Sequence, residues 1–183
     1  MKLSTALLTI SLPLYILDQV TKWWIVLTKV QGEVHPVIPG VFNIMRVHNQ
    51  GVAWGMGNGS SWAPVLFLLV LPAALVGISF LWKKGVFPGK LGLTSFILLV
   101  AGIVGNLTDR LLQGFWLDKP QARSFMDKLL DGYVVDFLDV TIPFIDYRWP
   151  TFNVADSCIV IAAVCLFLTS FYEENKPAKG KTT

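Results

Sequence analysis

Residues 62–82 read WAPVLFLLVLPAALVGISFLW, an apolar run without a charge and with a tryptophan at each end. An α-helix crosses the hydrocarbon core of a bilayer in about 20 residues. This run has that length, and Trp62 and Trp82 stand where amphipathic rings favour the water–lipid boundary. Three more stretches, 4–27, 91–112 and 154–172, share its character. They predict a mainly α membrane protein with four transmembrane helices. Of the 183 residues 54% are apolar and only 15% charged, whereas soluble domains carry about 25% charged residues. We read residues 1–172 as a single integral membrane domain and 173–183, polar and charged, as a disordered tail.

The first stretch starts like a signal peptide, with Lys2 before an apolar run. It lacks a small-residue cleavage site and continues into Asp18-Gln19-Val20-Thr21-Lys22-Trp23-Trp24, so it reads as a retained span. Lys2, Lys83, Lys84, Lys90, Lys176, Lys179 and Lys181 crowd the N-terminus, the 83–90 link and the tail. The connections 28–61 and 113–153 are sparser in Lys and Arg. The positive-inside rule puts both termini in the cytoplasm and both long connections outside.

Other function classes find little support. The net charge is +3, with no basic stripe for nucleic acid. Cys158 and Cys165 are about 10 Å apart in rise along one helix, too far to bridge. His35 and His48 lack HExxH or CxxC partners, and there is no GxSxG elbow or GxxxxGK[ST] loop. No metal and no cofactor is expected.

The outer connections carry more than linker sequence. Residues 34–47 alternate partly and are rich in Val, Ile and Phe, which predicts a short strand pair. Gly51 through Gly59 alternates glycine with other residues, which fits a flexible turn or a backbone that approaches a ligand closely. Val134-Val135-Asp136-Phe137-Leu138 sets one charge in an apolar pentad, and we expect it to dock on the helices with Asp136.

Polar groups inside a membrane are costly and are functional candidates. Asp18 and Lys22 lie in the outer half of the first span. The third span ends in Gly105-Asn106-Leu107-Thr108-Asp109-Arg110, and the fourth opens with Phe152-Asn153-Val154-Ala155-Asp156. All converge on the outer leaflet. Structural roles are open for several. Asp18 and Lys22 can pair at i, i+4, Asp109 and Arg110 can each close an interhelical ion pair, and Asn153 with Asp156 can cap a helix. Asp118, Asp127, Asp131, Asp139 and Asp146 read as exposed loop charges.

Two close carboxyls can hydrolyse a peptide, because neighbouring like charges share one proton. The ionised member takes a proton from water and the protonated one polarises the carbonyl. Asp136 and Asp156 could form such a pair, but two acids twenty residues apart are common and their spacing alone does not select them.

The segments Asp18-Gln19-Val20-Thr21-Lys22, Asn49-Gln50-Gly51-Val52-Ala53, Gly102 through Arg110, Val134-Val135-Asp136-Phe137 and Phe152-Asn153-Val154-Ala155-Asp156 stand together in one order. In that order they resemble lipoprotein signal peptidase, or signal peptidase II, over nearly the whole chain. The resemblance implies four membrane helices, a small outer β-cradle, and an outer loop or short helix between the third and fourth spans. It implies an aspartyl endopeptidase of the bacterial inner membrane that needs no metal. Its substrates would be diacylglyceryl-modified prolipoproteins, cut just before the lipidated cysteine, and its surroundings membrane phospholipid, with no obligatory protein partner.

Carried over residue by residue, the catalytic acids fall on Asp136 and Asp156. The supporting positions fall on Asp18, Lys22, Asn49, Gly51, Gly105, Asn106, Asp109, Arg110, Asn153 and Ala155. Two departures stand out. Trp54 replaces the usual Phe, and Leu111 to Tyr133 is longer than the common link, as a lid over the site or an inert insertion. The competing readings are a proton-coupled transporter subunit, with Asp18, Asp109 and Asp156 as a relay, and an intramembrane protease of ordinary helices.

Overall fold

The computed structural model describes residues 1–51, 62–116 and 123–174. Among these, four helices are long and apolar enough to cross a membrane: α1 (Leu3–Thr28), α2 (Trp62–Lys83), α3 (Gly89–Leu112) and α5 (Val154–Glu174). A short α4 (Phe125–Leu130) lies between the last two. In α1, Leu7–Ser11 widens into a π-turn. Pro13 follows it, and a proline lacks an N–H and crowds the carbonyl four residues back. Helix α5 extends to Glu174, two residues into the stretch expected to be unstructured. Residues 175–183, 52–61 with Trp54, and 117–122 with Asp118 lie outside the described residues.

Helix α3 is the hub and packs against all three other spans. Small residues allow this. A Cβ on Gly102 would stand 2.5 Å from the Ala155 carbonyl oxygen and 2.6 Å from Ile159 Cγ1. One on Gly105 would stand 2.6 Å from Asp18 Oδ2. Lipid offers no hydrophobic drive for helix association, so close approach and hydrogen bonds replace it. Ser11 Oγ donates to the Ile97 carbonyl at 2.8 Å and Ser95 Oγ to that of Ala162 at 2.7 Å. The outward faces stay apolar and exposed. Trp82, half-buried at the end of α2, packs its ring 4.6 Å from that of Phe96.

Beyond one end of the helices lies an antiparallel sheet of β1 (Val34–Ile38), β2 (Phe42–Asn49), β3 (Val134–Ile142) and β4 (Tyr147–Arg148), in that order. The pair β1–β2 forms where alternation predicts it. The pentad 134–138 does dock, but as a strand. Alternation hides it because both of its faces are buried. Asp139 is therefore not a loop charge. It is fully buried in β3, with Arg148 Nε 2.7 Å and Asn43 Nδ2 2.7 Å from its oxygens. Burial pushes its pKa up, but these bonds outweigh that and hold the carboxyl below the usual range. Asp131 is likewise half-buried and paired with Arg123. Asp127 and Asp146 are exposed, as expected.

Candidate active site

The polar residues of α1, α3 and α5 meet the ends of β2 and β3 in one network. At its centre Lys22 is fully buried, with Nζ 2.8 Å from Asp18 Oδ2, 3.1 Å from Asp109 Oδ2 and 3.0 Å from Asn106 Oδ1. Three acceptors match the three protons of an ammonium. The expected i, i+4 pair with Asp18 is present, and the interhelical ion pair open to Asp109 is made with the same lysine. Asp18 Oδ1 also accepts from the Ala155 N–H at 2.9 Å, and Asp109 Oδ2 from the Val135 N–H at 3.0 Å. The knot thus grips the residue before Asp156 and the residue before Asp136.

Asp136 is 2% exposed. Its Oδ2 accepts from Asn49 Nδ2 at 2.9 Å and its Oδ1 from Asn153 Nδ2 at 2.7 Å. Asn49 Oδ1 is engaged by the Gly51 N–H at 3.0 Å, which turns the amide nitrogen towards the carboxylate. Asp156 Oδ1 accepts from Asn106 Nδ2 at 2.7 Å. Its Oδ2 accepts from the Asn153 N–H at 3.2 Å, while its own N–H donates to Asn153 Oδ1 at 2.9 Å. The reciprocal pair is a capping box. The capping role of Asp156 therefore exists, and it uses one carboxylate oxygen only. Asn153 touches both acids.

Asp136, Asp156 and Asn49 line a cavity of about 470 Å³ that extends past Phe152 and Trp149 to Val160 and Ile161 on the exposed face of α5. A second cavity of about 240 Å³ lies towards α2, with Gly51, Phe67 and Arg110 in its wall. Asn49 and Asp156 line both. Arg110 donates to the carbonyls of Gln50 and Gly51 at 3.3 and 3.0 Å and lies 4.0 Å over the Phe67 ring. Burial, and next the charge of Asp156, push the Asp136 pKa up to about 7. That leaves one proton on the pair near neutrality.

All the site residues expected from the sequence fall in this network. Sequence reasoning gave no separate role to Gln19, whose Nε2 reaches Asp18 Oδ2, the Gly105 carbonyl and Asp109 Oδ1 at 3.1, 3.2 and 3.1 Å. Its signal was present, an amide beside a charge in an apolar helix. Neither cavity is lined by a described residue of 111–133.

The sequence model described as signal peptidase (SPase) II matches residues 10–172. The chain belongs to the signal peptidase II family. It is an aspartic peptidase of that family. It is 30% identical over 172 residues to the lipoprotein signal peptidase of Halalkalibacterium halodurans, covering 94% of this chain and 96% of that one. It is 32% identical over 166 residues to that of Bacillus pumilus, with 91% and 92% covered. A bacterial membrane enzyme solved in meso at 2.3 Å superposes with a TM-score of 0.77 at 27% identity, over 98% of this chain and 95% of that one. A second, at 1.9 Å, gives 0.64 at 29% identity, over 91% and 92%. Signal peptidase II membership and membrane-enzyme architecture thus agree over the same length of chain.

Proposed function

We propose that Asp136 and Asp156 are the catalytic dyad of a peptidase that removes the signal peptide from diacylglyceryl-modified prolipoproteins, cutting just before the lipidated cysteine. The observation that carries this reading is the shared cavity. Two carboxyls from different elements line one wall, and the space runs on to the lipid-facing side of α5. A substrate anchored in the bilayer by acyl chains reaches the acids from that side.

The ionised member of the dyad takes a proton from water as the water oxygen attacks the scissile carbonyl carbon. The protonated member donates to the carbonyl oxygen. Collapse of the tetrahedral species returns a proton to the departing amine and regenerates the shared-proton pair. Asn49, Asn106 and Asn153 orient the two carboxyls. Asp18, Lys22 and Asp109 fix the elements that carry them, with Gly105 and Ala155 providing the close approach. Arg110 and Gly51 shape the second cavity.

The distribution of lysines supports cytoplasmic termini and a site at the outer leaflet; family membership supports a bacterial inner-membrane protein with a single domain over 1–172. A proton relay would need ionisable groups along a whole span, whereas the buried ones here cluster at one end.

The test is cleavage of a lipidated and an unlipidated prolipoprotein by the purified protein, Asp136→Asn and Asp156→Asn. Only the unsubstituted protein should cut, and only the lipidated form. Normal cleavage by either variant would refute the dyad.

A further inference from the structure

Gln113–Trp116 and Arg123–Gly132 line neither cavity, yet they are firmly built. Arg123 donates to the carbonyls of Gly114 and Asp127 at 3.3 and 3.1 Å and pairs with Asp131, which closes the segment at its base. A Cβ on Gly114 would overlap the Lys128 carbonyl, and one on Gly132 the Arg110 carbonyl, so both ends lie flat on their neighbours. Helix α4 starts with a capping box, Ser124 Oγ accepting from the Asp127 N–H at 3.1 Å.

What this frame displays is apolar. Trp116 is 63% exposed, Phe125 67% and Met126 58%. The rings are ordered against one another: Trp116 meets Trp23 of α1 edge-on at 5.3 Å, and Phe115 lies 5.4 Å from Phe125. Through Trp23 the patch continues into the lipid-facing side of α1, where Leu27 is exposed. A fixed aromatic surface continuous with a membrane-spanning face has lipid as its neighbour, and tryptophans concentrate at that depth.

We infer that Gln113–Trp116 and Arg123–Gly132 form an interfacial anchor, seated on phospholipid at the headgroup–acyl boundary of the leaflet that holds the Asp136–Asp156 end of the helices. The described part of the long connection is then neither a lid nor an inert insertion. It is a float that fixes the depth of the site.

The test is a spin label on Met126→Cys in the full chain, reconstituted into phosphatidylcholine–phosphatidylglycerol vesicles. Phe125→Cys serves as a second position, and the labelled unsubstituted chain gives the background from Cys158 and Cys165. Thermal unfolding in detergent micelles, unchanged in both variants, reports folding. Collisions with oxygen several-fold above those with a water-soluble nickel chelate are expected. Preference for the chelate would overturn the anchor. So would a label shielded from both, which would mean that protein covers the patch. The readout is independent of the dyad, so a failed cleavage experiment leaves it intact.

Discussion

Asp109 Oδ2 accepts a hydrogen bond from the Val135 N–H at 3.0 Å, so the end of α3 holds β3 one residue before Asp136. The same oxygen is 3.1 Å from Lys22 Nζ. Asp109→Ala therefore strips a buried ammonium of one partner and frees a buried amide. Removing one member of a buried ion pair costs about 3–5 kcal/mol. Thermal unfolding in detergent micelles should show a loss of that order, together with lost cleavage. An unchanged melting temperature would mean that the knot does not hold the sheet to the helices.

The pH profile should report the dyad. With the Asp136 pKa up at about 7, kcat/KM should fall on the alkaline side near pH 7 as the shared proton leaves. Asn49→Ala deletes a donor that favours the ionised carboxyl. The alkaline limb should then move to higher pH, by on the order of one unit, since a hydrogen bond to a charged group contributes about 1.5–3 kcal/mol. A shift to lower pH would contradict this geometry.

Stability should carry the same signature. A carboxyl whose folded pKa lies above its unfolded value binds its proton more tightly when folded. Its contribution is complete below the unfolded pKa, near pH 4, and is lost as pH rises towards 7. Asp136→Asn does not titrate in that window. The melting temperature of the unsubstituted protein should thus decline relative to that of the variant between pH 4 and pH 7, whatever the fixed offset between them.

Helix packing predicts a contrast between two glycines. Gly102→Ala forces a methyl group against the Ala155 carbonyl and Ile159, and overpacking of this kind costs about 1–3 kcal/mol. Gly77→Ala meets nothing within 4 Å. It should leave stability unchanged or raise it by up to about 1 kcal/mol through helix propensity. Equal destabilisation by both would argue against tight α3–α5 packing.

The spans and the gathering of the polar residues at one end were legible because lipid is an unforgiving solvent. A charge such as Lys22 or Asp109 inside an apolar run has few explanations, and the family's ordered segments supplied the rest. The strand β3 was not legible as a strand, since burial on both faces removes the period that marks one. Asp139 was misread for the same reason. Its partners, Asn43 and Arg148, are 96 residues back and 9 residues ahead, and nothing local announces them. Gln19 escaped because an amide's role depends on which acceptors surround it.

The i, i+4 spacing of Asp18 and Lys22 also bears on how the chain enters the bilayer. Single charges at mid-span cost about 2.5–3.5 kcal/mol each on insertion. These two lie 2.8 Å apart in one helix, at a spacing that lets them neutralise each other without any other span. Helix α1 can therefore leave the translocation machinery as a self-balanced unit. Asn106 and Asp109, on α3 some eighty residues further along the chain, accept the lysine's two remaining protons. The group that orders the finished site is thus also the one that ties the first helix to the third.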